Sequence, residues 1–467
     1  MTEPAASADP AVRKSFHLIA VMLQLLAFAG FEVAARVFEL APVTKSMGLD
    51  DSFSVYQRSD NPLLGFELKP NYRNDSPDNW TSYASTNSHG QRDVERSIEK
   101  PPGIRRVVVL GDSVIEGAGL HDLEDTLTRQ LERRLGAETE VLNFGVSGYC
   151  TLAEVELFEK RALRFSPDTV IVVFVSNDFN NFNTQLVQLE DRAPRNAFVR
   201  WLFHASFGFR AVALQLGWFL ADDDPLGRSH EVIGDQNVVD GLERLRALSD
   251  REGFDVFIAI WPLFKGTTII EPDRMPDESG DLVIEQIAAA FEIPTVRMAP
   301  YFRRHHSQEG RSEISPRGFY TISGDDVHPS KLGNEIAAAA LEGVLRDGVP
   351  ERTGGEGERD AESFEAATLA AKEKGSQPLE RFKPLANTGI ALERVGRHEE
   401  AIGYYERAIA TDPPVGWTAM LYLNLGSARE AVGDYAAARA AYERSAELRP
   451  RWNSAAEALQ RMASEGH

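Results

Sequence analysis

Val107-Val108-Val109-Leu110-Gly111-Asp112-Ser113 is an apolar run that ends on a glycine, a carboxylate and a hydroxyl. Four consecutive apolar residues bounded by turn formers read as a short strand buried on both faces, as in parallel sheets. Thr169–Val175 repeats the pattern and ends in Ser176-Asn177-Asp178. Val141–Phe144, Phe254–Trp261 and Thr295–Met298 read as further strands. Leu123–Leu135, Leu152–Leu163, Val238–Leu248, Leu282–Phe291 and Leu332–Leu345 read as helices between and after them. Leu127, Leu131 and Leu135, for instance, share one helical face. Strands alternating with helices predict an α/β fold with a doubly wound parallel sheet covered on both faces.

The segments around this pattern set its context. The chain has 467 residues, enough for two or three domains. Its net charge of −21 excludes nucleic acid as the expected partner, since phosphate binding needs a basic face. The single cysteine, Cys150, excludes an intramolecular disulfide framework and a multi-cysteine zinc site. Arg13 and Lys14 precede an apolar stretch from Phe16 to Phe31 that continues through Val33, Ala34 and Ala35. It predicts an uncleaved signal anchor, with the remainder outside the cytoplasm, periplasmic or extracellular. The rivals are a signal cleaved at the small-x-small sequence Ala27-Phe28-Ala29, and a buried helix.

Five segments are therefore expected. Residues 1–40 are expected to form the transmembrane helix and 41–103 a lead-in packed on the part that follows. Residues 104–350 form the α/β domain, 351–360 a linker and 361–467 a helical-repeat module. An aromatic insertion, 181–235, interrupts the α/β rhythm with Trp201, Phe203, Phe207, Phe209, Trp218 and Phe219. It is expected to be a helical hairpin packing its aromatics on the domain, or else a lid or a surface against lipid.

The repeat is explicit in the sequence. Gly389, Gly396, Ala401, Tyr405, Ala408 and Pro413 return 37 positions later as Gly426, Gly433, Ala438, Tyr442, Ser445 and Pro450. The pattern resembles tetratricopeptide repeats, whose unit is about 34 residues. Ala361–Lys374 and Trp452–Met462 are expected as flanking helices. Such a module implies either a protein partner or packing on the α/β domain.

The chemistry lies at the strand ends. Ser113 opens the turn after its strand, on the carboxyl edge where ligands of open α/β folds bind. Taken alone, Gly-Asp-Ser is ordinary turn chemistry. A serine hydroxyl becomes a nucleophile when a neutral imidazole takes its proton, and that imidazole needs a carboxylate to fix its tautomer. Asp325-Asp326-Val327-His328-Pro329 supplies both, with Asp325 the candidate orienter and Asp326 not excluded by spacing. Gly145, after the strand Val141–Phe144, and Asn177 are candidate donors to the oxyanion of a tetrahedral intermediate.

These four clusters, in this order, resemble the four sequence blocks of the SGNH hydrolases, also called GDSL-type esterases. The resemblance spans roughly residues 104–346 and implies a three-layer α/β/α, flavodoxin-like fold. It implies Ser113 as nucleophile, His328 as general base, Asp325 as its orienter, and Ser113 N–H, Gly145 N–H and Asn177 as the oxyanion hole. Ser176 stands where relatives often carry glycine. The lead-in from Pro62 to Arg92 is similar to the segment that precedes the catalytic domain in membrane-anchored bacterial members. No metal or organic cofactor is implied. The expected function is hydrolysis of carboxyl esters, glycan-linked or lipid, through a covalent acyl-enzyme. Transfer of the acyl group to an envelope or exported polysaccharide is the alternative, and a non-catalytic scaffold acting through its repeats is the second.

Overall fold

Arg105–Gly111 (β1), Thr139–Gly145 (β2), Thr169–Phe174 (β3), Asp255–Ile260 (β4) and Thr295–Arg297 (β5) pair into one wholly parallel sheet. Its spatial order is β2-β1-β3-β4-β5. That is the doubly wound, flavodoxin-type order, with its switch point between β1 and β3. The structure is a computed structural model. It describes residues 10–38, 40, 55–73, 85–179, 196–216, 236–264, 278–308, 320–348 and 379–466, apart from 62, 263, 323, 324, 326, 414, 451 and 452. The linker and the expected helix Ala361–Lys374 lie outside the described residues.

The β-branched runs explain the sheet. Val107–Leu110 and Val170–Val175 have no more than 2 % of their surface exposed, so both faces of the central strands are covered. Register places Gly111 opposite both Gly145 and Val173. The carboxyl ends of β1, β2 and β3 therefore finish level, and the three loops leaving them start from one edge.

Several elements differ from the sequence reading. Leu123–Leu135 is a 3₁₀ turn, Leu123–Asp125, followed by the α-helix Leu127–Leu135. Thr126 between them is extended (ψ 154°), with its Oγ1 donating to the Leu123 carbonyl. Leu152–Leu163 is helical but changes its winding, from α (Thr151–Leu157) to π (Phe158–Ala162). The helix Ala299–Gln308 was not expected, because Pro300 and its run of polar residues hide the period.

One buried charge ties the lead-in to the sheet. Arg106, fully buried at the start of β1, donates to the carbonyls of Ser97, Ile98, Glu99 and Phe165 and to the carboxylate of Glu140. Removing one partner of such a network leaves buried acceptors without donors. Arg106→Met is accordingly expected to cost about 3–5 kcal/mol, to be read as a lower denaturant midpoint with an unchanged slope.

The chain falls into two compact units, Met1–Arg58 with Thr184–Leu226, and Ser59–Asn183 with Gly227–His467. The larger holds the sheet and the helices Leu379–Arg394, His398–Ala410, Val415–Ala431, Tyr435–Leu448 and Asn453–Glu465. In each repeat a glycine makes room for a tyrosine: a Cβ on Gly389 would lie 2.6 Å from the Tyr405 ring, and one on Gly426 2.5 Å from the Tyr442 ring. Each tyrosine hydroxyl then donates to a glutamate of the preceding helix, Glu393 or Glu430. The helix Leu379–Arg394 packs on Glu278–Ala290 and Asn237–Glu252, where Arg394 pairs with Asp240 and Glu243.

The smaller unit holds the helix Pro10–Val37 and two helices of the insertion, Ala197–Ala205 and Phe207–Gln215. Ile19–Val37 has a mean hydropathy of 1.6 and is long and apolar enough to cross a membrane, as signal sequences also are. Within this unit the insertion packs on that helix. Trp218 and Phe219 lie outside the described residues.

Candidate active site

Asp112 is where strand turns into helix. Its side chain accepts from Val114 N–H at 2.9 Å and caps the short helix Ser113–Glu116. That cap sets Ser113 as the first helical residue, so its N–H has no intrahelical partner. Asn177 follows β3 in a tight turn, where Asp178 accepts from Val175 N–H and its own N–H returns to the Val175 carbonyl. The Asn177 Nδ2 donates to Asp112 Oδ2 at 3.0 Å, and its second amide hydrogen has no partner among the described residues.

The histidine loop is held at both ends. Thr321 and Pro329 form an antiparallel bridge, and Ile322 N–H donates to the His328 carbonyl. Asp325 Oδ1 accepts from the N–H groups of Val327 and His328 at 2.6 and 2.9 Å. Ser330 then caps the helix Lys331–Asp347. Trp261, just beyond β4 and 2 % exposed, donates its indole N–H to the Val327 carbonyl at 3.0 Å. The sequence reading missed this role for Trp261. A lone tryptophan ending an apolar strand reads as core, and only the fold shows what its N–H meets.

Ser113 and His328, 215 residues apart, meet with Oγ 2.8 Å from Nε2. On the other side of the ring, His328 Nδ1 lies 2.7 Å from Asp325 Oδ2. A carboxylate only accepts, so Nδ1 carries the hydrogen and Nε2 of the neutral ring faces the serine as an acceptor. Burial works to raise the Asp325 carboxyl, but the bonds from the His328 ring and from the Val327 and His328 N–H groups outweigh it. They hold it below the ordinary aspartate range. Asp326 lies outside the described residues.

Gly145 departs from expectation. Its N–H donates to Asn143 Oδ1 at 2.9 Å, and a Cβ there would lie 2.2 Å from the Glu116 nitrogen. This glycine is needed so that β2 can pass under the helix Ser113–Glu116, and its N–H is not available to an oxyanion. In the turn that follows, Val146 N–H is bonded to the Gly111 carbonyl, Ser147 N–H to Glu116 Oε2 and Tyr149 N–H to the Val146 carbonyl. Gly148 N–H alone has no partner among the described residues, at φ 81°, a conformation that favours glycine. The signals were a polar Asn143 in an apolar strand and a second glycine three residues on.

Residues 109–336 match the GDSL-like lipase/acylhydrolase family, and residues 383–451 match a tetratricopeptide repeat family. The α/β part of this chain is a GDSL-like acylhydrolase domain. Similar solved structures include a two-domain esterase active on acetylated mannans, at 14% identity and TM-score 0.32. That match covers 53% of this chain and 50% of the esterase, so the chain spans about half that enzyme's length. A carbohydrate acetylesterase family member from Sinorhizobium meliloti shares 16% identity at TM-score 0.28, over 53% of this chain and 99% of that one. A lipase/acylhydrolase from Enterococcus faecalis shares 14% at TM-score 0.30, over 54% and 100%. No curated protein matches the sequence.

Beneath the acylhydrolase site lie three fully buried carboxyl groups, Asp112, Glu154 and Asp178. Burial pushes Glu154 well above the glutamate range, and the Asp112 charge adds to it. Burial, then the charges of Glu154 and Asp112, push Asp178 up likewise. Burial also pushes the Cys150 thiol up to about 12, so it packs as an inert apolar group.

Proposed function

We propose that this chain is a membrane-anchored serine esterase that cleaves carboxyl esters through an acyl-enzyme on Ser113. The observation that carries the reading is the unbroken series of Ser113 Oγ, the His328 ring and Asp325, closed by contacts of 2.8 and 2.7 Å. Ser113 Oγ attacks the ester carbonyl as its proton passes to His328 Nε2, and the carbonyl π electrons move onto oxygen. His328 then returns the proton to the leaving alcohol as the C–O bond breaks. Water, deprotonated by the same nitrogen, attacks the acyl-serine and releases the acid. Asp325 stabilises the imidazolium in both halves.

Ser113 N–H, Asn177 Nδ2 and Gly148 N–H are the proposed oxyanion donors, with Gly148 in the place expected of Gly145. Asn177→Ala should lower kcat by about 10²–10³-fold and change KM little, as steady-state rates on a soluble acyl ester will report. With Arg13 and Lys14 on the cytoplasmic side of the apolar helix, the positive-inside rule places the catalytic part outside the cytoplasm.

The function is tested by an ester screen on the full chain, with acyl groups from acetyl upward and with or without a glycan acceptor. Acid release without acceptor supports the esterase. Turnover only with acceptor overturns it in favour of acyl transfer.

A further inference from the structure

We propose that the insertion hairpin Ala197–Gln215 is a second membrane-contacting element, seated in the lipid headgroup–acyl boundary and clamped to the apolar N-terminal helix by Glu32. The inference rests on the membrane-anchor reading above and adds a surface to it.

Glu32 stands five residues before the end of the span Ile19–Val37, within the last turns of that helix. Its carboxylate accepts from Ser206 Oγ at 2.7 Å, Phe207 N–H at 3.0 Å and Gly208 N–H at 2.8 Å, and from Arg36 Nε at 2.8 Å. Three of these bonds come from the start of the helix Phe207–Gln215, whose first N–H groups need acceptors. Arg36 also donates to the carbonyl of Ala205, the last residue of the other hairpin helix, and lies over the Phe207 ring at 4.8 Å. One acid and one base of the apolar helix thus satisfy both helix ends at the hairpin corner. Gly208 permits the approach, since a Cβ there would lie 2.9 Å from the Phe31 ring. An ionisable group at membrane depth is tolerated when its bonds are met in this way.

Among the described residues of the hairpin, large apolar side chains stand exposed. Phe198 and Trp201, one turn apart, are 68% and 61% exposed, with ring centroids 5.9 Å apart. Leu216 beyond the second helix is 58% exposed. On the span itself Phe28, Val33 and Val37 are also more than half exposed, as is Phe38 just beyond it. A patch joined to a membrane helix near its end, and carrying a tryptophan, fits the interfacial layer that aromatic side chains favour. Lipid is therefore the occupant the surface fits.

The test uses the full chain in phosphatidylcholine vesicles whose acyl chains carry bromine near the carbonyl end or near the methyl end. Wild type should float with the vesicles and show a fluorescence component quenched mainly by the shallow bromines. Trp201→Phe should lose that component, and Glu32→Ala should weaken it while the protein still floats. Unchanged quenching in Trp201→Phe overturns the proposal, as does a shielded, unquenched Trp201 in a cross-linkable dimer, which would make a second copy the occupant. Failure of the wild type to float would instead overturn the anchor reading itself.

Discussion

Ser113→Ala is expected to reduce kcat on every ester substrate by about 10⁶-fold and to leave KM within a few-fold. The substitution removes one oxygen and with it the hydroxyl whose proton His328 Nε2 is placed to take, at 2.8 Å. Ground-state binding should not depend on that oxygen, whose role in the proposed reaction is to form the new bond in the transition state. Folding should be equally indifferent. The helix cap is made by Asp112 to Val114 N–H, and the Ser113 side chain takes no part in it. A variant with wild-type thermal midpoint, near-normal KM and background turnover is the expected combination, measured by steady-state kinetics beside a melting curve.

Asp325→Asn should lower kcat by about 10⁴-fold. The two oxygens of Asp325 have separate tasks. Oδ1 receives the Val327 and His328 N–H groups and shapes the loop, while Oδ2 faces His328 Nδ1 at 2.7 Å. Asparagine keeps the first oxygen and offers an N–H donor in place of the second. The imidazole must then accept at Nδ1, which puts its hydrogen on Nε2 and points a donor at Ser113 where an acceptor is required. The loop stays intact and the tautomer is wrong, so the loss falls on kcat. Acid stability carries a second signature. A carboxyl held below its ordinary range in the folded state contributes stability that is present at neutral pH and lost as pH falls through its lowered folded value. The variant should lack that contribution, so its stability should depend less on pH on the acid side of about pH 4, as thermal midpoints measured across that range will show.

The fold was legible because the signal is strong where it matters. Apolar β-branched runs such as Thr169–Val175 suit central parallel strands and little else, and they place β1, β3 and β4 almost to the residue. The helix Lys331–Asp347 was equally clear from its alanine and leucine spacing. The change of winding at Phe158 was not legible, since local period alone does not separate α from π turns. The convergence of Ser113, His328 and Asp325 could be anticipated because strand ends supply a common edge. Gly145 misled because it has the right residue type in the right loop. Which N–H in that loop is left over depends in part on Asn143 and Glu116, whose side chains take up those of Gly145 and Ser147 only after folding. Trp261 was hidden for the same reason. Its contribution is a single bond to a carbonyl 66 residues further on.

The insertion shows a different limit. Its aromatics were visible in the sequence, but periodicity does not say which surface an amphipathic hairpin covers. The pairing of Glu32 with Ser206 spans 174 residues and carries no local signal.

The most direct measurement is intact-protein and peptide mass spectrometry after exposure to a fluorophosphonate, which reacts fastest with a serine activated as a nucleophile. The account predicts a single adduct, on Ser113, formed rapidly by wild type and lost in His328→Ala although that variant still carries the serine. An adduct on another residue, or labelling of Ser113 at an undiminished rate without the histidine, would contradict it.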